Sequence, residues 1–374
     1  MSGRTGSAEA GALLSQGVGG RGKSLAGLPE GARVLVIRLR SMGDTVLMTP
    51  ALRLLHDWRP DLRVSVLSEP PWDELLDGNP AIHSVLALRS KALAAWQMRR
   101  SRFAAVVNLH GGPTSAFLTR WSGAPLRAGF AHFRYPGAYN ARIPTAQEIL
   151  EVDRPVHTAE HVASAFFSLG VPRAEIPPAE LFPSAPATER ARDWLRSLGV
   201  GEDEGYAVIH PTAVYATKQW AARGFAEAGQ YLERTFGLRP VYVCGPGKQE
   251  RETLDRIESQ TGTSILRASD WPIRELVALT AGAKIFVGND SGPAHVAAAV
   301  RIPVLVIFGS SHAAVWKPWK AVDTAVVQND FDCNPCPGDR CYTYEEPRCI
   351  LSITTEQVKV CLESLLRAAT HSRT

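Results

Sequence analysis

The chain has 374 residues, 45% hydrophobic and 21% charged, with a formal net charge of +4 and a pI near 8.8. That length exceeds one ordinary core and points to two domains of a soluble globular protein. The slight positive charge suits an acidic substrate or an anionic membrane surface better than dedicated nucleic-acid binding, and no run of about 18 apolar residues argues for a membrane span.

Residues 1–30, rich in Gly, Ser and Ala without an apolar period, are expected to form a disordered tail. Gly17–Gly22 (GVGGRG) has the glycines of a dinucleotide loop, but no strand leads into it. The tail has no apolar segment of the kind a secretory signal needs, so the expected compartment is the cytoplasm.

From Arg33 onward, short β-branched runs alternate with amphipathic stretches: RVLVIRL, TPALRLLHDW, RVSVLS, WDELLDG, SVLAL, ALAAWQM, AAVVNLH and TSAFLTRW. This alternation predicts βαβ units and a mostly parallel sheet over residues 31–175. Thr49-Pro50 is a good helix start, which would leave Ser41-Met42-Gly43-Asp44 as a loop at the carboxyl edge of the first strand. The spacing leaves two roles open for Asp44: a general base facing a cleft, or an Asx-type turn residue bonded to nearby backbone.

A Pro-rich linker at 176–186 precedes a second half at 187–352, with strands YAVIH, PVYVCG, KIFVGN and PVLVIFG, and 353–374 reads as a terminal helix and tail. Three junctions in this half place polar groups after a strand. They are His210-Pro211-Thr212 with Lys218 beyond, Gly245-Pro246-Gly247 leading to Glu250, and Asp290-Ser291-Gly292-Pro293 opening an Ala-rich helix that contains His295. In a parallel sheet such junctions share one edge, where α/β proteins bind ligands. Gly292 allows close approach to backbone, and Pro293 fits the first helical position, so this turn suits a phosphate, although Asp290 or Ser291 as a plain helix cap fits the residues equally well. CGPGKQ lacks the first Gly of a P-loop and has Gln249 where Ser or Thr should be, which disfavours a P-loop NTPase.

Five of the six cysteines lie in the last 42 residues, four of them as Cys333-x2-Cys336-x4-Cys341-x7-Cys349. Such clustering in a cysteine-poor chain favours a structural zinc or iron knuckle, with two disulfides or four free thiols as the alternatives.

Taken in order, VLVIRLRSMGDTVLMTPALRLL, HPTAVYATKQW, VCGPGKQE and NDSGPAHVAAAVRIPVLVIFG resemble glycosyltransferase family 9, the ADP-heptose heptosyltransferases of lipopolysaccharide core synthesis. The resemblance implies an α/β GT-B fold: two facing Rossmann-like domains with mostly parallel sheets, the first for the acceptor and the second for the nucleotide-sugar. It implies an inverting transfer of heptose from ADP-heptose to a lipid A-linked core acceptor, without a catalytic metal. It also implies Asp44 as base, Lys218 on the donor diphosphate, Thr212 in a phosphate loop, Glu250 near the ribose, and Asp290, Ser291, Gly292 and His295 at the donor. His295 read on its own is a structural residue as readily as a donor contact. Arg38, Arg40 and His110 are the candidate acceptor contacts, each of them also readable as solvated surface. A lipid-linked acceptor implies peripheral contact with the inner face of the cytoplasmic membrane, for which the Trp and basic residues within 89–103 are candidates, although the same stretch also reads as an ordinary packed helix. Competing readings are another nucleotide-sugar, a protein or O-antigen acceptor, or an inactive GT-B binding module.

Overall fold

The computed structural model describes residues 24–201 and 204–371. The first half runs β1 (Arg33–Ile37), α1 (Met42–Trp58), β2 (Arg63–Ser68), β3 (Ser84–Ala87), α2 (Lys91–Ser101), β4 (Ala105–Asn108), α3 (Pro113–Trp121), β5 (Leu126–Phe130), β6 (Ala141–Ile143), α4 (Ala146–Leu150) and α5 (Thr158–Ser168). The second half runs α6 (Ala185–Ser197), β7 (Tyr206–His210), α7 (Ala222–Phe236), β8 (Arg239–Cys244), α8 (Lys248–Thr261), β9 (Leu266–Ser269), α9 (Ile273–Ala281), β10 (Ile285–Asn289), α10 (Gly292–Ala299), β11 (Val304–Ile307), α11 (Ala313–Trp316), β12 (Thr324–Val327), α12 (Arg348–Leu351) and α13 (Thr355–His371).

Each half is built on one six-stranded sheet, in the orders β3-β2-β1-β4-β5-β6 and β12-β11-β10-β7-β8-β9. Every strand pair is parallel. The two orders are the same Rossmann winding, so the order reverses between β1 and β4 in one sheet and between β7 and β10 in the other. The central strands are buried on both faces because helices cover both sides, and their Val, Ile and Leu runs fit that position. One layer of the first half packs Met48, Leu52 and Leu55 of α1 with Val162 and Phe166 of α5. The opposite layer packs Ala94, Ala95 and Met98 of α2 with Leu118 of α3.

The halves meet through the α1 layer. Val46 of α1 and Leu75 pack with Val277 of α9 and Val296 and Ala299 of α10, and the linker adds Ala179 and Leu181. Polar ties flank this seam: Glu180 N–H donates to Thr49 Oγ1 at 3.1 Å, and Trp319 Nε1 donates to the Pro177 carbonyl at 2.9 Å. His157 Nε2 lies 2.7 Å from the Lys317 carbonyl, while its Nδ1 accepts from Ala159 N–H, so the ring is a neutral Nε2–H donor.

Two expectations are corrected. The helix after β1 starts at Met42, not at Thr49-Pro50, so Pro50 lies inside it. A proline there lacks the N–H that would serve the Val46 carbonyl; Thr49 Oγ1 donates to that carbonyl instead, at 2.8 Å, and the helix continues. The last part of the expected 1–30 tail is also folded: Ser24 caps a 3-10 turn at Leu25–Gly27, and Leu25 is fully buried against the first core, its N–H donating to the Leu169 carbonyl. The Gly17–Gly22 stretch lies outside the described residues. No helix among the described residues is long and apolar enough to cross a membrane.

Candidate active site

At the carboxyl end of β1 the chain turns through Arg38–Ser41 into α1, which puts Asp44 in the first helical turn. Its Oδ2 accepts from the N–H and the hydroxyl of Ser41, each at 3.1 Å, and its Oδ1 pairs with the Arg38 guanidinium. A carboxylate here is favoured by the positive end of the helix dipole. Arg38 also donates to the Leu109 carbonyl just beyond β4, tying the two strand ends across the reversal of the sheet. The three expected acceptor contacts thus differ in kind. Arg38 is engaged with Asp44 and Leu109, Arg40 is exposed, and His110 is half-buried in the loop after β4. Burial, then Arg38 and Arg40, push the His110 imidazole below its ordinary value, against Glu69 and Asp44. Gly111 next to it has φ +73°, and a Cβ there would stand 2.6 Å from the Phe133 ring, so only glycine fits this turn.

Across the seam, Lys218 Nζ donates to Asp290 Oδ2 at 2.8 Å, and the Asp290 side chain is almost wholly buried. Neither Asp290 nor Ser291 caps α10 with its side chain. Ser291 Oγ bonds the Asn289 carbonyl at 3.2 Å and His210 Nδ1 at 3.3 Å. The N–H groups in the first turn of α10 therefore receive no side-chain cap, which is an arrangement that can hold an anion. Thr212 and Glu250 are bonded to each other, Thr212 Oγ1 to Glu250 Oε1 at 2.9 Å, and Glu250 also accepts from the N–H groups of Gly245 and Gly247. His210, not among the expected site residues, closes this network. Its Nε2 lies 3.4 Å from Thr212 Oγ1, so Glu250, Thr212, His210 and Ser291 form one chain linking the loops after β7, β8 and β10. Burial pushes its imidazole down to about 4. The signal available in the sequence was its place as the last residue of a strand, two before Thr212.

His295 is where the two edges touch. It is buried in the first turns of α10, and a Cβ on Gly43 would stand 2.7 Å from its Cδ2. A Cβ on Gly292 would likewise stand 2.7 Å from Met42 Cβ. Both glycines allow α1 and α10 to approach start to start. Burial pushes the His295 imidazole down to about 4; Asp290 and Asp44 act against that and His157 and Lys218 with it, so groups of both halves act on one ring. Its Nδ1 is buried without a hydrogen-bond partner.

Cys333, Cys336, Cys341 and Cys349 are free thiols lining one cavity of about 190 Å³, with Tyr342, Tyr344 and Arg348. Among the described residues no group of three or more His, Cys, Asp or Glu side chains is placed to hold a metal ion. The expected zinc or iron knuckle thus finds a shared cavity but no formed ligand set, and the disulfide alternative is absent. The segment braces the Lys218 loop: Thr217 Oγ1 bonds Ser310 Oγ at 2.9 Å and the Gly338 carbonyl, and Cys336 N–H donates to the Ser310 carbonyl.

The chain is 28% identical over 294 residues to lipopolysaccharide heptosyltransferase 3 of Escherichia coli, covering 75% of this chain and 84% of that one. Among solved structures, a glycosyl transferase family 9 protein from Veillonella parvula superposes with a TM-score of 0.77 at 20% identity, covering 90% of this chain and 97% of that one. The ADP-heptose lps heptosyltransferase II of Escherichia coli does so with 0.74 at 18%, covering 90% and 99%. Both structural likenesses speak for the fold. The family model described as glycosyltransferase family 9 (heptosyltransferase) matches residues 93–345, well over half the sequence and reaching from α2 to the cysteine segment, and the chain belongs to that family of glycosyltransferases.

Proposed function

We propose that this enzyme moves heptose from ADP-heptose to a lipid A-linked lipopolysaccharide core acceptor, with inversion and without a catalytic metal ion. The observation that carries this reading is the meeting of α1 and α10. It brings the Asp44 turn to the edge that holds Lys218, Asp290 and the uncapped N–H groups of α10. The heptosyltransferase relative supports the choice of sugar and acceptor.

In this reaction an acceptor hydroxyl oxygen bonds to the anomeric carbon of heptose while the bond from that carbon to the ADP oxygen breaks. Asp44 takes the hydroxyl proton, and the electron pair of the broken bond leaves on the diphosphate. Lys218, Thr212 and the N–H groups at Gly292 stabilise that charge, the work that a metal ion does in other transferases. Pairing with Arg38 keeps the Asp44 carboxylate oriented, and Asp290 orients Lys218 until the diphosphate arrives. Glu250 and Thr212 brace the nucleotide side, with His210 linking them to Ser291. The cysteine segment has a structural part; zinc or iron is the ion four thiolates would take if drawn together, and no step of transfer passes through it.

Mass-spectrometric detection of heptose added from ADP-heptose to defined truncated core acceptors tests the proposal. Addition to one acceptor supports it, and no addition to any, with ADP binding intact, overturns it. A melting temperature raised by ADP but not by UDP or GDP identifies the nucleotide.

A further inference from the structure

Between Gly78 and Gln147 the sequence holds eight Arg and one Lys but no Asp or Glu, so the rest of the chain is net acidic. Within this stretch α2 and α3 lie side by side on the first sheet, Arg99 reaching across to the Trp121 carbonyl. They turn Ala94, Ala95, Met98 and Leu118 inward. Outward they turn large apolar groups: Leu93, Trp96, Phe117 and Trp121 are 47%, 59%, 52% and 53% exposed. Phe117 and Trp121, one helical turn apart, stack at 5.9 Å, and the Arg100 guanidinium stands over the Trp96 ring at 5.7 Å.

A folded protein rarely leaves two tryptophans, a phenylalanine and a leucine together in water. Aromatics interleaved with Arg and without a single acid are the chemistry of a surface that meets lipid headgroups: the rings enter the interface and the guanidinium groups pair with phosphates. The location fits as well. This layer lies opposite the α1 layer that joins the second half, and α3 begins directly after the His110–Gly112 loop beside Asp44. A lipid-borne acceptor held at this face would have its sugar end near that edge.

We propose that the outer face of α2 and α3 docks the protein on an anionic lipid bilayer. In naming the surface that presents the acceptor, this rests on the reading that the acceptor is lipid-linked. The occupant is a membrane and not an acidic protein, because three of the four apolar groups are aromatic and the four are spread over two helices rather than gathered in a groove.

The test floats the full chain with vesicles of phosphatidylcholine alone or mixed with phosphatidylglycerol. Association with the anionic vesicles only, weakened by salt, is the expected result. Neutralising Arg99, Arg100 and Arg120 to Gln should weaken it by about fivefold per residue, and W96A/F117A/W121A should abolish it with the ADP-induced rise in melting temperature unchanged. Equal association with neutral vesicles, or retention by both variants, overturns the proposal. So does a vesicle-free dimer that both variants lose, which would make this face a contact between copies. Should heptose transfer to a soluble, delipidated acceptor fail in every form while vesicle binding persists, docking stands and the heptosyltransferase reading falls.

Discussion

Gly43 and His295 belong to different halves, yet the glycine lies flat against the imidazole, with no room for a methyl group between α1 and the ring. One closed arrangement therefore aligns the turn bearing Asp44 with the helix start that follows Asp290. Gly43→Ala must displace a ring that is itself packed. The expected cost is about 1–3 kcal/mol of stability, with a fall in kcat because the two edges separate. Chemical denaturation and transfer assays on the same preparation check both; unchanged stability and turnover would show that the contact is dispensable.

Asp44 has two jobs that one substitution separates. Asn keeps the size and one oxygen to accept from Ser41, but it can neither take a proton nor pair with Arg38 as an anion. Asp44→Asn should therefore fold, bind ADP as the native chain does, and lose about 10²–10⁴-fold in kcat. Calorimetric titration with ADP beside the transfer assay reads this. Lost ADP binding would make Asp44 a donor contact instead.

The winding of both sheets was legible because their central strands, RVLVI, YAVIH and KIFVGN, are apolar runs between turn signals. The strands on the far side of β4, the interior β5 and the edge strand β6, were harder. β5 (LRAGF) and β6 (ARI) hold Gly, Ala and Arg where β-branched residues were sought, and their pairing comes from the neighbouring strand rather than from their own propensity. The start of α1 was misplaced because Pro50 is a helix-start residue in any local reading. What overrides it is the Thr49 hydroxyl on the Val46 carbonyl, together with the Asp44 and Ser41 bonds one turn after β1. Of the candidate site, the shared edge of the strand ends could be read because the carboxyl ends of parallel strands follow topology. The pairings Lys218 with Asp290, Thr212 with Glu250 and His295 with Gly43 join residues dozens to hundreds of positions apart, and no single sequence encodes such separations.

Lys218 and Asp290 are expected to be coupled. Removing the ammonium group alone strands a nearly buried carboxylate, so Lys218→Ala should cost about 1–3 kcal/mol of stability, besides a loss of roughly 10²–10³-fold in kcat from the missing charge on the departing diphosphate. The double variant Lys218→Ala/Asp290→Ala removes the stranded charge and should recover part of the stability but none of the turnover. A double-mutant cycle by urea unfolding, giving a coupling of about 1 kcal/mol or more, checks the pair. Strict additivity would mean the two side chains act apart.

Acid should loosen the protein before its carboxylates titrate. His161, His210 and His295 are each pushed by burial from the ordinary 6.5 down to about 4, and His157 is lowered for the same reason. Their folded forms stay neutral where the unfolded chain takes up protons, so the stability they confer is complete above 6.5 and is lost as pH falls from there toward about 4. Within that window each such ring lowers the folding constant by up to about tenfold per pH unit. Carboxylates in ion pairs, such as Asp61, held down to about 2 by Arg59, lose their contribution only further into acid. The urea midpoint should therefore fall between pH 6.5 and 4.5, and His210→Gln, which keeps an amide to bond Thr212 and Ser291, should make that fall shallower by about one proton. A slope unchanged in this variant would show that His210 is already protonated in the folded chain. That result would place a cation, not a neutral bridge, between the Thr212 loop and the start of α10.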